Sequence, residues 1–158
     1  MRGFPAWGVA FALGVSVGAP QDEPSGFVKF LPGEIKWVRD RAEPAVESVI
    51  LLGDPGQPVP FVLRVRFQGE VRVMPHTHPI ERTYTVLAGE WKLGFGKVYD
   101  PAKLMTFPAG SIYRLPAGVA HFQATGPGET IVQIHAVGPS TTDFLDADGR
   151  PKKTEKAP

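Results

Sequence analysis

Pro75-His76-Thr77-His78-Pro79-Ile80-Glu81-Arg82 is the stretch from which the rest of the chain is best read. In an extended strand, side chains two apart share a face, so His76 and His78 aim their imidazoles into one space while Thr77 points away. Two neutral imidazoles converging in this way make half of a transition-metal site. The other half must come from elsewhere in the chain, and His121 in Pro116-Ala117-Gly118-Val119-Ala120-His121 is the obvious donor.

Working outward, the neighbouring segments read as strands: Phe27 to Leu31, Ile35 to Val38, Ser48 to Leu52, Phe61 to Phe67, Val71 to His78, Thr83 to Leu87, Trp91 to Phe95, Leu104 to Phe107, Ile112 to Leu115, His121 to Thr125 and Thr130 to Val137. Phe61, Leu63, Val65 and Phe67 alternate with Arg64 and Arg66, the period of a half-buried strand. Turn formers such as Gly53-Asp54-Pro55-Gly56, Ala88-Gly89 and Pro108-Ala109-Gly110 separate the segments. Many short strands with almost no helical pattern argue an all-β chain, an antiparallel sandwich or barrel. A helical turn at Ala45 to Val49 is conceivable but too short to change that reading.

At 158 residues the chain is one domain's worth. Its 17 Lys and Arg against 16 Asp and Glu leave a formal charge of +1, so no strong field draws it to nucleic acid or to an anionic membrane. Cysteine is absent, which removes thiolate ligands, thiol nucleophiles and disulfides together. Met1-Arg2 followed by the apolar run from Phe4 to Ala19 has the shape of a secretory signal, so 1–19 is expected to be a signal peptide and the mature protein periplasmic or secreted, without stable membrane insertion. Residues 20–36 are expected to form a linker and an arm strand, 37–140 the barrel, and 141–158, rich in Lys and Pro toward its end, a disordered tail.

The spacing of Gly110, Pro116, Gly118 and His121 resembles the second motif of the cupin superfamily. His76 and His78, with Gly89 closing the next hairpin, resemble the first. The phrases Gly53-Asp54-Pro55, Trp91 through Gly96, and Val132 through Pro139 are similar to those of small single-domain, exported cupins. The resemblance runs from about Trp37 to Pro139. It implies a single antiparallel barrel of jelly-roll topology, the double-stranded β-helix, holding one divalent transition metal (Fe, Mn, Ni, Cu or Zn).

One position departs from that pattern. Cupins generally place a glutamate ligand four residues after the second histidine, and here that residue is Arg82, with Glu81 one place earlier. Three arrangements are open. Glu81 swings in and Arg82 out, giving His76, His78, His121 and Glu81 as ligands; or the three histidines hold the metal alone, as in some thiol-oxidising cupins; or Arg82 occupies the site and makes it a metal-free anion pocket. The first is favoured because an irregular turn after His78-Pro79 costs less than a buried unpaired arginine.

Around this centre, Gln123 shares the face of His121, and Gln133 and His135 share a face of the last long strand, where His135 is expected either at the cavity wall as a substrate contact or as a satisfied core histidine. Tyr84, Trp91 and Tyr113 are candidates for an aromatic rim on the substrate, with plain core packing the alternative. Arg64, Arg66 and Arg72 form either an anion-attracting lip or a solvated face. Three imidazoles and at most one carboxylate leave open metal positions for a small oxygenated molecule, with Glu81 as the proton acceptor. Dioxygenase, isomerase or lyase chemistry fits such a centre; non-catalytic binding of a small ligand or metal, and a structural module, are the alternatives. A homodimer is expected to cover exposed strand edges.

Overall fold

The computed structural model describes residues 22–152. The expected signal peptide at 1–19 and the last six residues lie outside the described residues. Eleven strands follow in chain order: β1 (Val38–Arg39), β2 (Val46–Leu52), β3 (Pro60–Gln68), β4 (Arg72–Thr77), β5 (Arg82–Ala88), β6 (Glu90–Phe95), β7 (Met105–Pro108), β8 (Ile112–Leu115), β9 (His121–Thr125), β10 (Glu129–Val137) and β11 (Asp143–Phe144). The helical content of the described residues is two three-residue 3-10 turns, at Pro32–Glu34 and Pro101–Lys103. The expected all-β class holds. Ala45 to Val49 is mostly strand, because β2 finds a full antiparallel partner in β3. The expected strand at Phe27 to Leu31 is absent; its apolar side chains are exposed and no neighbouring strand pairs with them.

Two sheets form the molecule, one ordered β1-β2-β3-β10-β5-β8 and the other β11-β4-β9-β6-β7, with antiparallel pairing throughout. β10 is central to the first sheet, in register with β3 from Glu129↔Gln68 to Val137↔Pro60. Alternation along the strands sends Phe67, Tyr84, Val86, Val132 and Ile134 inward to meet Trp91 and Leu115 in one core. The opposite parity carries polar groups: Arg66 pairs with Glu47 at 2.6 Å and lies over the Trp37 ring at 4.4 Å, and Arg64 Nε donates to Gln133 Oε1 at 2.7 Å. Arg64 and Arg66 are therefore a solvated face rather than a lip of the cavity.

In the second sheet β9 is buried along its whole length. Its outward Phe122 lies across Gly94, its registered partner on β6, and is capped by Tyr99 at 5.0 Å between ring centroids. A Cβ at Gly94 would stand 2.3 Å from the Phe122 ring, so only glycine lets the ring close over the strand. That packing fixes β9, and with it the inward residues His121, Gln123 and Thr125.

β4 carries the one irregularity that decides the site. Val73 pairs with Gln123 and His76 with His121, three steps on β4 against two on β9, so one extra residue is bulged out at Met74-Pro75. Proline suits that place because it has no N–H to give the ladder. The bulge moves the inward parity from Val71 and Val73 to His76 and His78.

The expectation of a disordered tail at 141–158 is corrected for its described part. After β10 the chain runs through Gly138, whose absent Cβ would lie 2.3 Å from the Gln57 carbonyl, and is held by Gly138 N–H to Val59 O at 3.1 Å and Ser140 N–H to Pro55 O at 2.8 Å. β11 then pairs with β4 at Thr77 and His76, Leu145 is buried, and Asp146 Oδ1 accepts the N–H groups of Asp148 and Arg150 in a closing turn. Apolar Phe144-Leu145 and the Asp-Ala-Asp-Gly turn after them were the sequence signal for this segment.

Candidate metal centre

His76, at the end of β4, His78, just past it, and His121, at the start of β9, come together, with ring centroids 4.2, 4.8 and 5.1 Å apart in pairs. All three are buried, and their candidate ligand nitrogens lie within 4.8 Å of one another. Each Nδ1 sits against a backbone carbonyl: His76 on Met74 O at 2.8 Å, His78 on Thr141 O at 2.9 Å and His121 on Val119 O at 2.9 Å. A carbonyl only accepts, so each ring carries its proton on Nδ1 and keeps a lone pair on Nε2. The carbonyl serving His76 is part of the bulge, so the irregularity that turns the residue inward also sets its tautomer.

Burial holds the three rings neutral. It lowers His76 to about 4, with His121 and Arg82 adding repulsion, and lowers His78 to about 2, with the nearby Arg82 guanidinium the next cause. His121 is lowered for the same reason, burial first. Its Nε2 is fully buried without a hydrogen-bond partner, an orphan that a metal ion would satisfy. Tautomer, charge state and convergence all fit a divalent transition ion held by three imidazoles.

The expectation that Glu81 swings inward is not met. Parity is kept across the Pro79-Ile80 bend, so His78, Arg82, Tyr84 and Val86 face inward and Glu81 outward. The Glu81 side chain is 50% exposed and lies 3.6 Å from Arg114, far from a role as ligand or proton acceptor. Arg82 is 7% exposed; its Nη1 donates to His78 Nε2 at 3.1 Å, and its Nη2 donates to Ser140 Oγ and to Thr141 O at 3.1 Å. The buried arginine that seemed too costly is accommodated because the segment after β10 supplies two of its acceptors. Ser140, Thr141 and Phe144, whose ring is 5.4 Å from His76, are thus site residues that reading that segment as a tail concealed.

Beside the imidazoles is a cavity of about 500 Å3 with His76, His78, Arg82, Tyr84 and Gln123 among its polar lining. Tyr84 faces both Arg82 and Gln123, and burial raises its hydroxyl above the usual phenol range. Tyr113 stacks on Tyr84 at 4.8 Å and accepts from Trp91 Nε1 at 2.9 Å, so it backs the wall and does not line it. Gln133 and His135 are corrected: both stand on the outer face of β10, His135 exposed with its Nε2 2.7 Å from the Gln133 amide. Their inward neighbours Val132 and Ile134 occupy the parity that reaches the cavity.

No known family profile matches the sequence, and no curated protein matches it. Solved structures do. An acetylacetone dioxygenase from Acinetobacter johnsonii superposes with a TM-score of 0.60 at 16% identity, covering 85% of this chain and 87% of that one. The polyketide cyclase RemF from Streptomyces resistomycificus gives 0.60 at 21% identity, covering 78% and 89%. A cupin superfamily protein from Desulfitobacterium hafniense gives 0.51 at 19% identity, covering 75% and 93%. At these identities the likeness speaks for the backbone alone, and it agrees with the two-sheet antiparallel topology: this chain has the cupin fold.

Proposed function

We propose that this chain binds one divalent transition metal through His76, His78 and His121 and acts on a small oxygenated molecule in the adjoining cavity, by dioxygenase, isomerase or lyase chemistry. The observation that carries this reading is the set of three Nδ1–H groups given to backbone carbonyls, which leaves Nε2 as the ligand atom of each ring, in a cluster whose candidate ligand nitrogens lie within 4.8 Å of one another. An ion held there supplies Lewis acidity toward a carbonyl, an enolate or water. The chain's own part is to keep the rings neutral and oriented, to exclude water with Phe144 and the apolar wall, and to present Tyr84 and Gln123 as hydrogen-bonding groups to the bound molecule.

Elemental analysis of tag-free protein, beside His121→Ala, tests the first half: near one metal per chain, lost in the variant, is expected. Oxygen uptake and product analysis with catechols, flavonols and β-diketones test the second. Silence across that panel from metal-loaded protein points to a non-catalytic binding cupin instead. A second reading, a metal-free anion pocket, is favoured by the Arg82 Nη1 bond to His78 Nε2, and absence of metal in both proteins would select it. Export to the periplasm or medium rests on the Met1 to Ala19 segment and is tested by fractionation and N-terminal sequencing of the mature protein. Homodimer formation through sheet edges is tested by sedimentation.

A further inference from the structure

We infer that the cavity takes an organic anion with a single charged oxygen head, a carboxylate or an enolate, on an apolar body, and that Arg82 is the residue that reads the head. This deepens the small-molecule function proposed for the same site, but it does not depend on the metal.

Arg82 is a buried cation whose acceptors are all neutral: an imidazole nitrogen, a hydroxyl and a backbone carbonyl. None of the ion pairs among the described residues involves it, and its Nε has no hydrogen-bond partner. A buried charge without a counter-charge is costly, and an anion arriving beside it recovers that cost. The planar guanidinium offers donors matched to a carboxylate or enolate oxygen. The three Nε2 atoms are acceptors, so in metal-free protein the attraction for an anion comes from Arg82, with the Tyr84 hydroxyl and the Gln123 amide as neutral partners.

The rest of the wall decides the body. Leu63, Val65, Phe67, Trp91, Val132 and Ile134 line it without a charge among them, so a second ionised group on the ligand would have to be buried unpaired. Asp40, Glu43 and Arg72 also border the cavity, but all three are exposed, where water and salt screen them from a group bound next to Arg82. The volume of about 500 Å3 is that of a small-molecule site.

The test is calorimetric titration of chelator-treated full-length protein with benzoate and hexanoate, against benzamide and hexanamide at matched ionic strength. The wild type is expected to bind the carboxylates at least tenfold tighter than the amides. Arg82→Gln is expected to bring the two classes within about twofold, and Arg82→Lys to keep part of the preference. Equal binding of the two classes by wild type, survival of the preference in Arg82→Gln, or no binding of any of the four compounds up to millimolar concentration would each overturn the inference. The wild-type comparison of charged and neutral compounds decides the matter even if Arg82→Gln does not fold. Metal content is read separately, on the protein as purified before chelator treatment: carboxylate preference in a protein purified without metal sinks the metal reading alone, and near one metal per chain at purification without carboxylate preference afterwards sinks this one alone.

Discussion

Replacing Arg82 by glutamine should tighten metal binding, and the size of the gain follows from what the guanidinium now does. Its Nη1 holds the lone pair of His78 Nε2 at 3.1 Å, and an ion needs that lone pair. Breaking a hydrogen bond that involves a charged group costs about 1.5–3 kcal/mol, which alone is roughly a 10- to 150-fold handicap on affinity. Coulomb repulsion adds to it: at an effective dielectric near 20, a unit-charge pair 4 Å apart repels by about 4 kcal/mol, falling to about 2 at twice the distance, and a dication doubles either figure. Rotation of the side chain and water penetration relieve part of that repulsion, so the hydrogen-bond figure sets the floor. Arg82→Gln is expected to bind Zn(II) or Mn(II) at least tenfold tighter than wild type in competition with a chromogenic chelator. The same variant loses carboxylate binding, so the two effects have opposite signs, and a loss of fold, which lowers both, is told apart. Unchanged or weaker metal binding in a folded Arg82→Gln protein would refute the assignment of Arg82 to the metal's doorstep.

Three further outcomes follow from the same geometry. Glu81→Ala should leave metal affinity within about twofold and stability within about 1 kcal/mol by urea titration, since its partner Arg114 is an exposed surface charge. The metal-free protein should lose stability as pH falls from about 6.5 toward 4: the unfolded chain takes up protons there that folded His76, lowered to about 4, refuses, a loss of about 3 kcal/mol from this residue alone. His78, lowered to about 2, extends the loss further into acid, and denaturant titrations across pH 4–7 check the slope. Gly94→Ala should destabilise by about 1–3 kcal/mol by thermal or urea unfolding, because its methyl meets the Phe122 ring, which Tyr99 caps from the other side.

The parts of this molecule that could be read from the sequence are those governed by strand parity. His76 and His78 share a face because they are two apart, and His121 opens a strand after a Pro-Gly turn, so the triad needed no knowledge of distant contacts. The same rule, applied to Val132-Gln133-Ile134-His135, sends the apolar pair inward and the polar pair out, and His135 belonged with the solvent by that pattern. Arg82 resisted for a different reason. Its position on the inner parity was plain, but whether a guanidinium can be buried there depends on acceptors supplied from Ser140 and Thr141, nearly sixty residues later. Local pattern carries no information about such a partner, and so the balance tipped toward Glu81. The fold of 140–152 was hidden likewise, because its few apolar residues gain burial only after β4 is in place to receive β11.

The bulge at Met74-Pro75 ties the centre to a backbone atom more than to any side chain of the bulge. Met74 is half exposed and stands only at the border of the cavity, and every substitution keeps its carbonyl, so scanning it by substitution should report tolerance. Removing it altogether would restore an even ladder in which His76 still faces His121, but the carbonyl that fixes the proton on His76 Nδ1 would be lost with the residue. Substitution maps and deletion maps of this strand should therefore disagree most sharply at the residue that looks least important.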